Sequence, residues 1–167
     1  MDKYNTFGNR FVAGIVDGVI FWPLTLLDGY LQESGNNRGI MFILWTIFSM
    51  SAFEIYSILM HGKYGQTLGK KAMSVKIVTN PEEGKITYKQ ALLRDMPYLV
   101  LLIIEMALII ATILSPELIF NPTITTISGY LAFAYIIWFV IELVTILFNP
   151  KRRALHDIIA NTVVIKV

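Results

Sequence analysis

The stretch that decides the fold is residues 97–114, PYLVLLIIEMALIIATIL, in which Glu105 is the only charged side chain. Crossing the hydrocarbon core of a bilayer takes roughly 20 apolar residues in a helix. Three further stretches of similar character lie at about residues 11–31, 40–60 and 124–148. The sequence therefore predicts an all-α membrane protein with four transmembrane helices, forming a single membrane domain over residues 1–167.

The composition agrees with a membrane protein and excludes several other classes. Hydrophobic residues make up 55% of the chain and charged residues 16%, whereas a soluble domain carries about 25% charged residues. There is no cysteine, so disulfides and cysteine-bound metals are excluded. No catalytic constellation such as HExxH is present. We expect no enzyme activity, no cofactor, no nucleic-acid partner and no metal beyond a monovalent cation.

The basic residues predict the orientation in the membrane. Thirteen of the fourteen Lys and Arg residues lie before the first helix, between the second and third helices, or after the fourth. Basic residues favour the cytoplasmic side. Both termini, the middle segment 61–96 and the tail 149–167 are therefore predicted to be cytoplasmic. The N-terminal apolar run lacks a signal-peptidase site and is expected to be retained as the first helix.

The middle segment and the tail are patterned enough to be structured. Residues 72–78, AMSVKIV, are typical of a β-strand, and residues 81–84 are typical of a turn. Residues 86–93 form an amphipathic helical pattern that we expect to lie on the membrane surface. The tail repeats this pattern, since Ala154, Leu155, Ile158 and Ile159 follow a helical spacing.

Carboxylates inside the predicted spans are the main functional signal. Each helix carries one such acid toward its cytoplasmic end: Asp17, Glu54, Glu105 and Glu142. At a rise of 1.5 Å per residue, each lies roughly 9–12 Å from that end. Acids within a membrane are costly and usually face the interior of a bundle or a water-filled cavity. These four are predicted to bind a cation or a proton, whereas Asp28 is expected to be interfacial.

Several basic residues are candidates to neutralise these acids. No Lys, Arg or His lies deep in a predicted span, so the acids need protons, a bound cation or arginines such as Arg10. In the tail, Arg153 and Asp157 are four residues apart and can form an intrahelical pair. The alternative is a cytoplasmic gate in which this cluster, with Arg152 and His156, pairs with Asp17 or Asp95. Gly14 and Gly18 are predicted to let another helix pack closely against the first.

Short motifs along the chain resemble those of a known family. They are Arg10 with Asp17, the run GQTLGKK at residues 65–71, Arg94-Asp95, and RALHD at residues 153–157. In this order, and over about residues 7–164, they resemble the RDD family of small bacterial membrane proteins. The family is named for one arginine and two aspartates.

The resemblance implies roles for individual residues. Arg10 corresponds to the arginine and Asp17 to the first aspartate. The second aspartate is assigned to Asp157, with Asp95 as the competing candidate. Leu68 stands where relatives often have proline. Together with the residues of the tail cluster, the candidates for charge partners or a gate are Arg10, Arg94, Asp95, Arg153, His156 and Asp157. The resemblance also implies the bacterial plasma membrane, and sodium–proton exchange has been suggested for some members.

Two functions of different classes follow. The first is a small exchanger of Na⁺, K⁺ or Li⁺ for protons that uses the intramembrane carboxylates, acting as an oligomer because four helices are few for alternating access. The alternative is a non-transporting partner that binds and regulates or inhibits another membrane protein, such as an envelope protease or a stress-defence component. Its basic loop and tail would then form the docking surface. A passive channel, or a porter for an organic solute, is a third possibility that the sequence does not separate from the first.

Overall fold

The computed structural model describes residues 3–35, 39–82 and 84–167. Four of its helices are long and apolar enough to span a membrane. They are α1 (Phe7–Glu33), α2 (Ile40–Tyr64), α4 (Tyr88–Leu114) and α5 (Pro122–Phe148). The prediction of four helices of spanning length is confirmed. The start of α2 and the ends of α4 and α5 lie where they were predicted, and every other helix end lies outside the predicted range.

Helix α4 begins nine residues earlier than the sequence pattern indicated. Its start is fixed by a capping box, in which Thr87 Oγ1 accepts from Gln90 N at 3.2 Å and Gln90 Oε1 accepts from Thr87 N at 3.0 Å. Pro97 lies inside the helix without ending it. The expectation of a separate surface helix over residues 86–93 was therefore wrong, because residues 88–93 are the first turns of α4.

Two strands and two short helices complete the described fold. Helix α3 covers Leu68–Ala72 and α6 covers Leu155–Ile159. Strand β1 (Val75–Thr79) pairs antiparallel with β2 (Thr162–Lys166). Strand β1 confirms the β-strand predicted from residues 72–78. Strand β2 was not predicted, so the all-α class was incomplete: the chain is mostly helical with one small sheet.

The described residues are packed much more densely at one end of the bundle than at the other. We call this the sheet end; it holds α3, α6, both strands and the start of α1. Its core is a buried cluster of Val75, Ile77, Ile86, Ala91 and Val164. The opposite loop end holds the connection after α1 and a 3-10 helix, Pro116–Phe120. Residue 83 of the predicted turn and residues 36–38 of the first connection lie outside the described residues.

Candidate functional site

An ionic cluster at the sheet end is built around Asp157, which is fully buried in α6. Arg10 Nη2 donates to Asp157 Oδ2 at 2.8 Å, and Arg94 Nη1 donates to Asp157 Oδ1. The Ala154 amide also donates to Oδ2, at 3.0 Å. Arg94 in turn donates to Thr162 Oγ1 at 2.7 Å. The cluster therefore ties α1 and α4 to α6 and to the first residue of β2.

The cluster extends to α5 through His156. Its Nδ1 lies 2.6 Å from Glu142 Oε2, and its backbone N donates to Glu142 Oε1 at 3.1 Å. Its Nε2 lies 2.9 Å from Arg94 Nη2 and 3.3 Å from Arg10 Nη2. The ionic cluster thus consists of Arg10, Arg94, Glu142, His156 and Asp157.

Burial and neighbouring charges both shift the pKa values in the ionic cluster. Burial acts to raise the pKa of Asp157, but the positive charges of Arg10 and Arg94 outweigh it and hold that pKa well below its ordinary value. Burial lowers the pKa of His156, against the opposing effect of Asp157. The Asp157 carboxylate is thus the shared partner of the two guanidinium groups.

The structure brings Arg10 and Asp157 together, which are the residues assigned to the family arginine and its second aspartate. The competing candidate, Asp95, instead accepts from Ser57 Oγ at 2.8 Å. The interpretation of Arg153 and Asp157 as a side-chain ion pair was wrong. Arg153 donates to two backbone carbonyls, that of Thr162 at 2.8 Å and that of Asp157 at 3.0 Å. These bonds connect the segment before α6 to α6 and to the start of β2.

Asp17 is held separately, in what we call the Asp17 clamp. Tyr56 Oη and the Gly69 amide donate to its Oδ1 at 2.9 and 2.8 Å, and Thr67 Oγ1 donates to its Oδ2 at 2.5 Å. Asp17 is only 3% exposed. The clamp fastens α1 to α2 and to α3, and a carboxylate with three donors needs no bound cation to be satisfied.

The structure explains both glycines of the GQTLGKK run, residues 65–71. Gly65 ends α2 with φ of 71°, a left-handed conformation that favours glycine. A Cβ atom at Gly69 would lie 2.1 Å from the carbonyl oxygen of Ala13, so only glycine allows α3 to approach α1 this closely. The Leu68 amide donates to Tyr56 Oη at 2.7 Å, a bond that a proline at this position would not make.

A chain of polar groups that sequence reasoning missed runs beside the clamp. Ser57 Oγ lies 3.2 Å from His61 Nδ1, and His61 Nε2 lies 2.8 Å from Lys70 Nζ. Burial lowers the pKa of Lys70 to about 8, and the charges of Arg94 and Arg10 act in the same direction. The available signal was the four-residue spacing of Ser57 and His61, which places them on one face of α2.

The four acids predicted to share one site lie in different surroundings, and three of them accept hydrogen bonds from groups of the chain. Asp17 belongs to the clamp and Glu142 to the ionic cluster. Glu105 accepts from Tyr135 Oη at 3.2 Å. Glu54 is half-buried and lies near enough to Asp95 for the two charges to interact. A cavity of about 430 Å³ lies at the loop end, and its lining includes Asp28 but none of these four acids.

Gly14 and Gly18 do not pack against another helix of the described chain. Both are exposed, and a Cβ atom added to either would have no neighbour within 4 Å. Helix α1 packs chiefly against α3 and much less against α2. The close helix approach that the glycines permit is therefore unused within the chain.

Comparison with known proteins agrees with the motifs. The model of the RDD family matches residues 4–161. The chain is also similar to the "Uncharacterized membrane protein YteJ" of Bacillus subtilis (strain 168), with 22% identity over 167 residues, covering 97% of this chain and 80% of that protein. No solved structure matches. A family match over nearly the whole chain, with Arg10, Asp17 and Asp157 all in buried polar contacts, shows that this multi-pass membrane protein belongs to the RDD family.

Proposed function

We propose that this protein is a non-transporting membrane component that binds another integral membrane protein through the open face of α1. The proposal rests on a contrast between the acids of the spanning helices and the glycines of α1. The conspicuous acids of the spans are largely engaged by groups of the chain itself, whereas the glycines of α1 are engaged by none of the described residues.

The engagement of the acids weighs against ion exchange. A transported cation or proton needs carboxylates that exchange ligands with water at low cost. Asp17 accepts three hydrogen bonds, and Glu142 accepts one from the His156 amide while His156 Nδ1 lies 2.6 Å from its other oxygen. Releasing either acid would leave buried donors unsatisfied, at about 1–3 kcal/mol for each group. This arrangement suits residues that fasten helices together.

The open face of α1 suits a partner helix. In lipid there is little hydrophobic drive between helices, so small residues that permit close backbone contact drive helix association. Gly14 and Gly18 form such a pair, and exposed Ile15 and Trp22 flank them on the same side. The ionic cluster and the Asp17 clamp hold α1 at its sheet end, so this face is presented in a fixed orientation.

Photo-crosslinking in the native membrane tests this proposal. A benzoylphenylalanine at Ile15 is expected to form one discrete adduct with a membrane protein. The same group at Ile20, which is also exposed but lies on the other side of α1, is expected to form none. A self-adduct would identify the partner as a second copy of the chain.

Matched glycine variants provide the control. Gly14→Leu with Gly18→Leu is expected to abolish the Ile15 adduct, because the added side chains prevent close approach, while a Cβ atom at either position has no described neighbour within 4 Å. Gly29→Leu adds the same bulk at another open position of α1 and is expected to leave the adduct intact. Adducts of equal strength from Ile15 and Ile20, or an adduct unaffected by the double substitution, would contradict the proposal.

Cation–proton exchange is the second candidate, and one observation favours it. Among the described residues no hydrogen bond is made to the Glu54 carboxylate, and Asp95 lies close by. Two neighbouring acids are an arrangement able to share a proton or a cation. Proton flux in sealed proteoliposomes after pulses of Na⁺, K⁺ or Li⁺, with loss of that flux in Glu54→Gln, would support this candidate over the first.

A further inference from the structure

The cavity at the loop end shares no lining residue with the ionic cluster or the Asp17 clamp. Its volume of about 430 Å³ lies in the range of small-molecule sites, roughly 300–1,000 Å³. It is bounded by the last turns of α1, the first half of α2, the last turns of α4 and the 3-10 helix. It lies at the opposite end of the bundle from the ionic cluster.

One side of this cavity carries a negative charge. The half-buried Asp28 lines it, and Trp45 Nε1 donates to Asp28 Oδ1 at 2.5 Å. That bond fixes the orientation of the carboxylate without neutralising it. No Lys, Arg or His is among the described residues that line the cavity, so these residues supply no counter-ion to Asp28.

Hydroxyl groups add hydrogen-bond acceptors to the same lining. Thr46 donates its proton to the Phe42 carbonyl at 2.9 Å, and Ser49 donates to the Thr46 carbonyl at 3.3 Å. Thr112 likewise donates to the Ile109 carbonyl at 2.8 Å. Because each proton is directed at the backbone, the oxygen lone pairs remain as acceptors. The polar part of the cavity therefore complements a positively charged donor.

Gln32, in the last turns of α1, also lines the cavity, with an amide that can donate and accept, and the remaining walls are apolar. Ile109, Ile113, Pro116 and Ile119 line the cavity from α4 and the 3-10 helix, and Met50 lines it from α2. A bare inorganic cation would gain nothing from these walls. A ligand that fills the cavity needs an apolar body in addition to its charge.

We infer that this cavity binds a primary ammonium group carried on an apolar body, with Asp28 as the counter-ion. An ammonium presents three donors and no acceptor, which matches a carboxylate in a cavity that hydroxyl oxygens also line. The same chemistry occurs in a free hydrophobic amine and in the headgroup of an aminophospholipid. The inference is independent of the proposed docking face, which lies in the other half of α1.

Binding of n-hexylamine to the purified full-length protein tests the inference, with 1-hexanol as the uncharged probe of equal length. Calorimetry in phosphatidylcholine nanodiscs is expected to show hexylamine binding at least tenfold tighter than hexanol. Asp28→Asn is expected to remove that difference, because it removes the charge. Glu117→Gln makes the same acid-to-amide change at the loop end outside the cavity lining and is expected to keep it.

Two further arms complete the test. Ile113→Trp fills the cavity and is expected to abolish binding of both probes, independently of any effect of Asp28→Asn on folding. Nanodiscs of phosphatidylethanolamine are expected to weaken hexylamine binding tenfold if the natural ligand is a lipid, and to leave it unchanged if it is a free amine; either result supports an ammonium site. Equal affinity for hexylamine and hexanol in the unmodified protein, or a preference that survives Asp28→Asn, would overturn it.

Discussion

Aspartates at the two ends of the bundle differ in their burial and in the number of hydrogen bonds that they accept. At the sheet end, Asp17 and Asp157 are almost completely buried and accept hydrogen bonds from several elements at once. At the loop end, Asp28 accepts from Trp45 and lines an open cavity. The position of an acidic residue along the chain therefore does not determine its role. Its role depends on whether the surrounding chain supplies enough donors to satisfy it.

The largest expected effect comes from removing the acid at the centre of the ionic cluster. Asp157→Asn leaves Arg10 and Arg94 buried without their shared counter-ion, which costs about 3–5 kcal/mol when a buried pair is broken. The variant is expected to lose monodispersity at a much lower temperature than the unmodified protein, as measured by size-exclusion chromatography after heating. Glu117→Gln at the loop end serves as the control, and equal stability of the two variants would refute the fastening role.

A glycine comparison sharpens the contrast between packed and open positions. Gly69→Ala forces a Cβ atom against the Ala13 carbonyl, whereas Gly14→Ala places one in open space. Overpacking costs about 1–3 kcal/mol, so Gly69→Ala is expected to be clearly destabilised. Gly14→Ala is expected to be unchanged or slightly stabilised, because alanine favours helix formation. The same heating assay distinguishes them, and a reversed order would be inconsistent with the Asp17 clamp.

A pH-dependent effect is expected from Lys70, whose pKa in the folded protein is about 8, below its ordinary value of 10.5. Between these two values the unfolded chain binds more protons than the folded one, so the contribution of Lys70 to stability rises with pH. Burying the charged amine is unfavourable at pH 7, and the penalty is relieved by about pH 10. Lys70→Met is therefore expected to show its greatest relative stability at pH 7.

The control for this prediction is Lys71→Met, which makes the same change at an exposed position in the same helix. The heating assay at pH 7, 8, 9 and 10 measures both variants against the unmodified protein. The advantage of Lys70→Met over Lys71→Met should shrink as the pH rises. An advantage of Lys70→Met that grew with pH would contradict the assignment.

The smallest effect is expected at the loop end. Trp45→Phe removes the donor to Asp28, and one hydrogen bond to a charged group contributes about 1.5–3 kcal/mol at most. Because the cavity leaves Asp28 access to other partners, the loss is expected to fall at or below the lower limit. Trp22→Phe, at a residue that is 60% exposed, is the matched control. A loss as large as that of Asp157→Asn would show that the two ends do not differ.

Hydropathy was sufficient to predict the four long helices, because an apolar run as long as residues 97–114 is long enough to cross the bilayer as a helix. Boundaries were less accurate where local chemistry decided them. The capping box at Thr87 extends α4 into a segment that amphipathicity alone assigned to the membrane surface. Strand β2 was missed because TVVIK forms a strand only where β1, more than eighty residues earlier, offers its edge.

The site was predictable in its charged residues and not in their partners. Composition and position indicated Arg10, Asp17 and Asp157, since charges near a membrane are conspicuous. Tyr56, Ser57 and Thr67 carry no such signal, because hydroxyl residues are common throughout the chain. Their importance comes from tertiary contacts that bring α2 and α3 against α1.

We propose that the acids at the sheet end fasten the fold and do not carry ions. The most direct measurement is proton flux in sealed proteoliposomes after pulses of Na⁺, K⁺ and Li⁺, with a known exchanger reconstituted in parallel. We expect no cation-dependent flux from the unmodified protein while the exchanger is active. Cation-dependent flux that Asp17→Asn or Glu54→Gln abolishes, in protein that remains folded, would contradict it.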